Sequence, residues 1–229
     1  MSGFLCPSNG NVKRPGRNNS GRSSIAISYG DHVSLHNNPR GIVGAVHSGS
    51  EIPIWNSMGS VTDGTSNTAL CSELVVTANE GQNAVLGGVH NADTNIQQGS
   101  DTVAIPTYCN DNARSTTDRH LLVSVENNIW RGSRQFDRAM TYVTFNTILP
   151  PNAPSCSRTN NDNQWGFYTA QSNHSGGVNL GLCDGSVRFI SDTIDTKGLP
   201  NFDWTTGGSS ALGVWGALGS ISGHESQGL

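Results

Sequence analysis

Charged side chains are scarce in this sequence of 229 residues, in which Asp, Glu, Lys and Arg together make up only 13%. The net charge is −4 and the pI is about 5.9, so nothing indicates a nucleic-acid partner. Hydrophobic residues reach only 34%, and no apolar run approaches the length of a membrane span. No segment shows a strong 3.6-residue apolar period, so a long helix is absent or confined to a short stretch. These absences argue against the nucleic-acid-binding and membrane-spanning classes.

The sequence motifs of common catalytic and metal centres are missing as well. No Cys-x-x-Cys pair or Cys/His cluster has the spacing of a zinc site. Ser66 lies in Gly64-Thr-Ser-Asn67, which lacks the G-x-S-x-G pattern of a nucleophile elbow. No set of nucleophile, base and orienting residue can be assembled from the sequence. We therefore expect a non-enzymatic protein, and an unrecognised hydrolase ranks last among the alternatives.

The residues that are present are typical of a loop-rich β protein. The chain contains 28 glycines and is crowded with Asn, Ser and Thr, a composition that suits an extracytoplasmic protein. Its length predicts a single domain over residues 1–229, with an irregular N-terminal segment at 1–24 and a Gly-rich C-terminal tail at 207–229. Apolar and alternating runs predict strands at 25–29, 41–46, 52–55 (at a sheet edge), 68–77, 119–125 and 141–148.

The clearest pattern is a β-hairpin over residues 174–190. Apolar residues alternate with polar residues or glycine from Val178 to Leu182, and the alternation resumes at Val187. Asp184-Gly185 lies between the two runs and predicts a two-residue turn in which both residues have positive φ. That turn would place Leu180 opposite Phe189, with both side chains buried on one face of the sheet.

Five short motifs follow one another along the chain. They are Phe4-Leu-Cys-Pro-Ser8; Asp63-Gly64-Thr-Ser-Asn67-Thr68 with Glu73; Trp130-x-Gly132 with Leu149-Pro-Pro-Asn152 and Cys156; His174 followed after nine residues by Asp184-Gly185; and Trp215-Gly-Ala-Leu-Gly219 with Glu225. Each motif is weak alone, but together and in this order they resemble the prepilin-type H-x(9)-D-G proteins, which are abundant in planctomycetes. The end of the chain departs from that pattern, because Gly223-His224-Glu225 stands where the family has Gly-Gly-Glu.

The resemblance implies a mainly β (α+β) fold, with the antiparallel sheet and long loops of a pseudopilin-like head domain. Family members usually begin with a prepilin leader and a long apolar helix. This chain starts almost at the Phe4 motif, so we expect the pilin helix to be absent. The implied function is that of a structural or assembly domain of a pilin- or pseudopilin-like filament at the cell envelope or surface, related to type II secretion. Its partners would be further copies or other pilin-like subunits, with membrane attachment only through the missing helix.

Five cysteines allow several pairings. Cys109 and Cys156 lie in turn-rich segments on either side of Trp130 and are the best candidates for a disulfide, which would imply an oxidising compartment. Cys71 and Cys183 lie inside apolar runs, so buried thiols are favoured over a bridge between them. Cys6 is expected to be unpaired.

His174 and Asp184 lie too far apart for a joint active site. The nine intervening residues span roughly 20 Å or more if they are mostly extended, whereas a general base must lie within hydrogen-bond reach of its partner. We expect Asp184 and Gly185 to form the turn. His174, which precedes Gly176-Gly177, is expected to hydrogen-bond loop backbone.

A structural calcium ion is left open as an alternative. Type II pseudopilins, to which the resembled family is related, carry a calcium-stabilised loop, and Asp63 and Glu73 could act as ligands. No D-x-D-x-D-G loop is present, so the ligand set stays unassigned. Further carboxylates in Asn-rich loops are Asp93, Asp101, Asp111 and Asp162.

The tryptophans suggest an alternative function and one further expectation about how the chain packs. Exposed tryptophans such as Trp55 or Trp204 could form a sugar-stacking platform, which would make the chain a solute- or glycan-binding module. Trp215 lies in the most apolar part of the 207–229 tail. We expect either a monomer whose tail folds over the sheet with Trp215 as a plug, or an oligomer that buries the same face.

Overall fold

The computed structural model describes residues 4–33, 40–43, 56–79, 81–98, 102–135, 139–162 and 164–225. Within these ranges the fold is mainly β, as predicted, with short helices. The strands are β1 (Ile25–Ser28), β2 (Ala69–Glu73), β3 (Val89–Asn91), β4 (Gln97–Gln98), β5 (Val103–Ala104), β6 (Thr144–Phe145), β7 (Ser155–Ser157), β8 (Gly166–Phe167), β9 (Gly177–Leu182), β10 (Val187–Ser191) and β11 (Phe202–Asp203). The helices are α1 (Pro106–Asn112), α2 (Met140–Val143) and α3 (Gly213–Gly219).

The strands form three sheets. The largest has the order β10-β9-β2-β1-β6, and the two smaller sheets have the orders β11-β5-β4 and β3-β7-β8. Pairing is mostly antiparallel, but β1 runs parallel to β6 and β3 runs parallel to β7. None of the helices in the described ranges is both long and apolar enough to cross a bilayer.

The hairpin is present, but its predicted register is wrong by one residue. The Leu182 N–H donates to the Ser186 carbonyl (2.9 Å) and the Gly185 N–H donates to the Leu182 carbonyl (3.0 Å). Gly185 has φ of 85°, whereas Asp184 stays in the ordinary negative range. The turn is therefore a three-residue loop with a glycine bulge rather than a two-residue turn. Leu180 consequently lies opposite Arg188 and is buried, while Phe189 lies opposite Asn179 and is 54% exposed.

The predicted strand at 141–148 begins as the end of helix α2 instead, and a buried arginine explains the difference. Arg131 is fully buried and donates to the carbonyls of Met140 (3.3 Å), Thr141 (3.1 Å) and Thr144 (2.7 Å). A turn of helix directs these carbonyls toward one guanidinium, whereas a strand would point successive carbonyls in opposite directions. Only Thr144–Phe145 remains as strand.

Only some of the other predicted strands are present in the described residues. The run at 25–29 is confirmed as β1, and the run at 68–77 contains the shorter β2. The run at 119–125 forms only isolated bridges, through Leu121 and Leu122. Residues 44–46 of the 41–46 run, and all of 52–55, lie outside the described residues.

Helix α3 covers the inner face of the five-stranded sheet. Trp215 is fully buried, and its ring stacks on Phe145 with a centroid distance of 6.2 Å. Its indole N–H donates to the Leu149 carbonyl at 2.8 Å, which satisfies the one polar atom of the side chain. Leu180 and Leu218 belong to the same buried cluster. The tail therefore folds over the sheet with Trp215 as the plug.

A second and larger core lies around the disulfide. Cys109 of α1 is bonded to Cys156 of β7, the pairing that the sequence predicts, and both residues are fully buried. Cys6, Cys71 and Cys183 are free. Trp204 packs in this core with a ring-centroid distance of 5.0 Å to Trp165.

Candidate functional site

The His174 side chain is held by a carboxylate at the end of β2. His174 Nε2 donates to Glu73 Oε1 at 3.0 Å. The other carboxylate oxygen of Glu73 accepts from the Asn179 backbone N–H (2.8 Å) and from its side-chain amide (3.2 Å). The prediction that the His174 ring bonds loop backbone is therefore wrong. Glu73 connects the loop before β9 to β9 itself.

Asp184 lies at the far end of β9 and has a different partner. Its Oδ1 accepts from the Ser186 backbone N–H (2.9 Å) and from the Ser186 hydroxyl (2.6 Å), and these bonds hold the pKa of the carboxyl below its usual range. The six residues of β9 separate this turn from His174. The two ends of the motif therefore bond to separate parts of the hairpin and not to each other.

Asn152 of the Pro-Pro-Asn motif fixes the start of β9. It has φ of 59°, in the left-handed region that Asn tolerates better than most residues. Its Oδ1 accepts from the Ser172 N–H (2.8 Å), and its Nδ2 donates to Asp192 Oδ1 (2.8 Å) and to the Gly177 carbonyl (3.3 Å). A Cβ at Gly177 would lie 2.1 Å from the Ile190 carbonyl, so only glycine fits there.

Asp63 anchors the C-terminal segment. Its two carboxylate oxygens accept from the backbone N–H groups of Gly223 (2.6 Å) and His224 (2.9 Å). The turn that follows is closed by a bond from the Asn67 N–H to the Gly64 carbonyl (3.0 Å), and Gly64 has φ of 95°. This motif thus holds the tail in place.

The Trp130 motif contains a residue that sequence reasoning missed. The Trp130 indole N–H donates to the Asn127 carbonyl at 3.0 Å. Between Trp130 and Gly132 lies the buried Arg131, whose guanidinium is 5.2 Å from the centroid of the Tyr168 ring. Burial lowers the pKa of Arg131 to about 10, so it remains a cation at neutral pH. No periodicity or motif in the sequence distinguishes this arginine from a solvated one.

The outer face of the five-stranded sheet is apolar and exposed. We use the term outer face for the row of cross-strand neighbours Ile27, Cys71, Gly181 and Val187, together with the adjacent Phe189. Val187 is 67% exposed, Phe189 54% and Ile27 41%. These three are half of the large apolar side chains that are exposed in the described residues; the others are Phe4, Met58 and Val123.

The carboxylates considered for calcium do not come together. Within the described ranges no group of three His, Cys, Asp or Glu residues is placed to hold a metal ion, and Asp101 lies outside those ranges. Asp162 instead accepts from the Tyr142 hydroxyl (2.8 Å) and forms an ion pair with Arg17 (3.3 Å). Asp111 lies in α1, and Asp93 begins a short 3₁₀ helix before β4.

One Ser–His contact has the residue types of a catalytic pair, but the imidazole nitrogen that faces the serine already carries a proton. The Ser124 hydroxyl lies 3.1 Å from His90 Nδ1, and the Ser124 carbonyl lies at the same distance. A carbonyl can only accept, so Nδ1 carries the proton and donates to it, and it cannot take a proton from the serine. Burial lowers the pKa of His90 as well.

Trp204, the candidate for sugar stacking that the structure describes, is not exposed on the surface. Trp204 is only 8% exposed because it packs against Trp165, so the expectation that it stands on the surface is wrong. Trp55 lies outside the described residues.

Glu126 makes stability depend on pH. The residue is 2% exposed, and within the described part of the chain neither carboxylate oxygen has a hydrogen-bond partner. Burial, with a smaller contribution from Asp93, raises the pKa of Glu126 from 4.5 to about 7. A raised pKa in the folded state means that stability is lost as the pH rises from 4.5 to 7. The loss amounts to about 3 kcal/mol in the free energy of unfolding.

We therefore expect Glu126→Gln to be more stable than the parent at pH 8 and no more stable at pH 4.5. Urea unfolding at both pH values measures this, with Asp111→Asn as a control for removing an exposed carboxylate. Equal pH dependence in the parent and in Glu126→Gln would contradict the assignment.

Comparison with known proteins finds one family. The sequence model of the family described as "Protein of unknown function (DUF1559)" matches residues 1–197. No curated protein and no solved structure matches the chain.

Proposed function

We propose that this chain, which belongs to the DUF1559 family of proteins of unknown function, is a non-enzymatic head domain of a pilin- or pseudopilin-like assembly at the cell envelope. The mainly β fold is compatible with such a head. The motif residues support it too, because the bonds of Glu73, Asn152 and Asp63 hold loops and tail in place and present no reactive group.

The observation that carries this proposal is the outer face. The inner face of the same sheet is already covered by α3, so an oligomer is not needed to bury it. Val187 and Phe189 stand on the opposite side and on the edge strand β10. An apolar patch on a rigid sheet is typical of a protein–protein contact. The proposed occupant is another subunit of the same assembly.

The disulfide supports an extracytoplasmic location. Disulfides persist in oxidising compartments, and Cys109–Cys156 closes a loop of 47 residues in the core. The glycan-binding alternative has less support, because Trp204 is buried.

The purified protein tests this proposal through self-association. We expect sedimentation velocity to detect concentration-dependent association below about 1 mM, and negative-stain microscopy to reveal ordered oligomers or filaments. Phe189→Asp should abolish association, because it replaces an exposed apolar side chain of the outer face by a charge that would be buried in the contact. Val123→Asp is the matched control, since Val123 is 62% exposed but lies away from the sheet.

Circular dichroism checks that both variants fold. The proposal is wrong about this face if the parent stays monomeric throughout, or if Phe189→Asp and Val123→Asp affect association equally.

A further inference from the structure

A cavity of about 390 Å³ with both apolar and polar walls lies between the loop before β9 and the segment after α1. This volume falls in the range of small-molecule sites. Val85 and Leu86 form an apolar wall of the cavity. The polar residues on its lining include Arg114, His120, His174 and Asp192. The cavity does not depend on the outer face, so the inference below stands apart from the proposed function.

The walls of the cavity are fixed by hydrogen bonds. Arg114 Nη1 donates to the Arg119 carbonyl (2.9 Å), and its Nη2 donates to the Asn152 carbonyl (3.3 Å). Asn152 in turn holds Asp192 and the Ser172 backbone, as described above. On the opposite wall the Val85 N–H donates to the His120 carbonyl at 2.8 Å. A cavity held in this way changes little on binding, which lowers the entropic cost for a ligand.

Arg114 is the one fixed cation among the described residues of the cavity lining. Arg119 lies close enough to add to the positive field at Arg114, and Asp192 lies close enough to offset part of it. Asp192 is the one carboxylate on the cavity lining in the described residues, and it is hydrogen-bonded to Asn152. The net charge of the protein is −4, so non-specific attraction of anions is weak elsewhere. An anion is therefore favoured at Arg114.

The lining also narrows the ligand class. No Trp, Tyr or Phe is among the described residues that line the cavity, so these residues offer a neutral sugar no aromatic face on which to stack. Two of the five N–H groups of Arg114 bond to protein carbonyls, which leaves donors for a planar carboxylate. Asp192 keeps acceptor capacity for a ligand hydroxyl or ammonium group.

We propose that this cavity binds a small carboxylate that also carries a hydrogen-bond donor, with the carboxylate at Arg114 and the donor at Asp192. Two sources share this chemistry. A sugar acid offers hydroxyl groups as donors, and a free amino acid offers an ammonium group.

Heteronuclear NMR titration of the full chain tests the proposal with D-glucuronate and L-alanine as probes. We expect at least one of them to bind with a Kd of about 1 mM and to shift the amide signals of residues on the cavity wall. Glucose, which has the hydroxyls of glucuronate without its carboxylate, should cause no comparable shift. Arg114→Met should weaken binding about 10-fold, because it removes the charge that pairs with the carboxylate. Arg14→Met, which removes an exposed arginine elsewhere, should leave binding unchanged.

Asp192→Asn distinguishes a sugar acid from an amino acid as the ligand. It also provides a second test if Arg114→Met does not fold. It keeps an acceptor for Asn152 but removes a negative charge from the cavity. Glucuronate should bind several-fold tighter to this variant, whereas L-alanine should bind more weakly because its ammonium group loses an ionic partner. The proposal is overturned if neither probe binds the parent, if glucose binds as well as glucuronate, or if Asp192→Asn leaves the affinity of the bound probe unchanged.

Discussion

Replacing Trp215 with alanine is expected to lower the free energy of unfolding by about 5 kcal/mol, the largest effect of any single substitution proposed for this chain. The side chain is fully buried between α3 and the inner face of the sheet, where it stacks on Phe145. Alanine would lose the transfer free energy of the indole and leave a cavity in a core that cannot fully collapse. It would also leave the Leu149 carbonyl without its donor.

Urea unfolding followed by circular dichroism measures this loss. Trp215→Phe is the matched variant, since it keeps an aromatic ring but removes the indole N–H, and it should cost about 2 kcal/mol. If Trp215→Ala melts like the parent, α3 does not cover the sheet in solution and the described packing is wrong.

Removing the disulfide is expected to cost about 4 kcal/mol. The bridge closes a loop of 47 residues, and opening it returns that loop entropy to the unfolded chain. The double variant Cys109→Ala/Cys156→Ala tests the effect by urea unfolding. Cys6→Ala is the control, because Cys6 is free and only partly buried, and it should change stability by no more than about 0.5 kcal/mol.

Mass mapping under non-reducing conditions tests the pairing itself. Free thiols at both Cys109 and Cys156 would refute the bridge and remove the main support for an extracytoplasmic location. If the double variant is as stable as the parent, the estimate of about 4 kcal/mol is wrong, even when the bridge is shown to form in the parent.

Sequence reasoning succeeded where local chemistry decides the structure. The presence of a turn at Asp184-Gly185, the fold class and the burial of Trp215 follow from turn residues, apolar alternation and composition. The register of the hairpin failed because a two-residue and a three-residue turn can both use Asp-Gly. That difference moves Phe189 from the predicted buried face to the exposed one.

Side-chain partners distant in sequence could not be foreseen. Glu73 and His174 are 101 residues apart, and nothing in the spacing of either residue indicates the other. Arg131 is similar, because its acceptors are backbone carbonyls that every residue possesses. Its burial also explains why the 141–148 run, which alternates like a strand, begins as a helix. Tertiary contacts override local propensity at such positions.

The order of strands in the five-stranded sheet has a consequence for how the chain folds. β2 pairs with β9, although Ala69 and its partner Leu182 are more than 100 residues apart. During synthesis β1 and β2 leave the ribosome long before β9 exists, so the central ladder cannot close until nearly the whole chain is available. β1 and β2 can pair with each other earlier, but closing so long a loop makes folding slow, and the other edge of β2 stays unpaired meanwhile. The five-stranded sheet is therefore completed late, only once β9 has been synthesised and can pair with β2 on one side and β10 on the other.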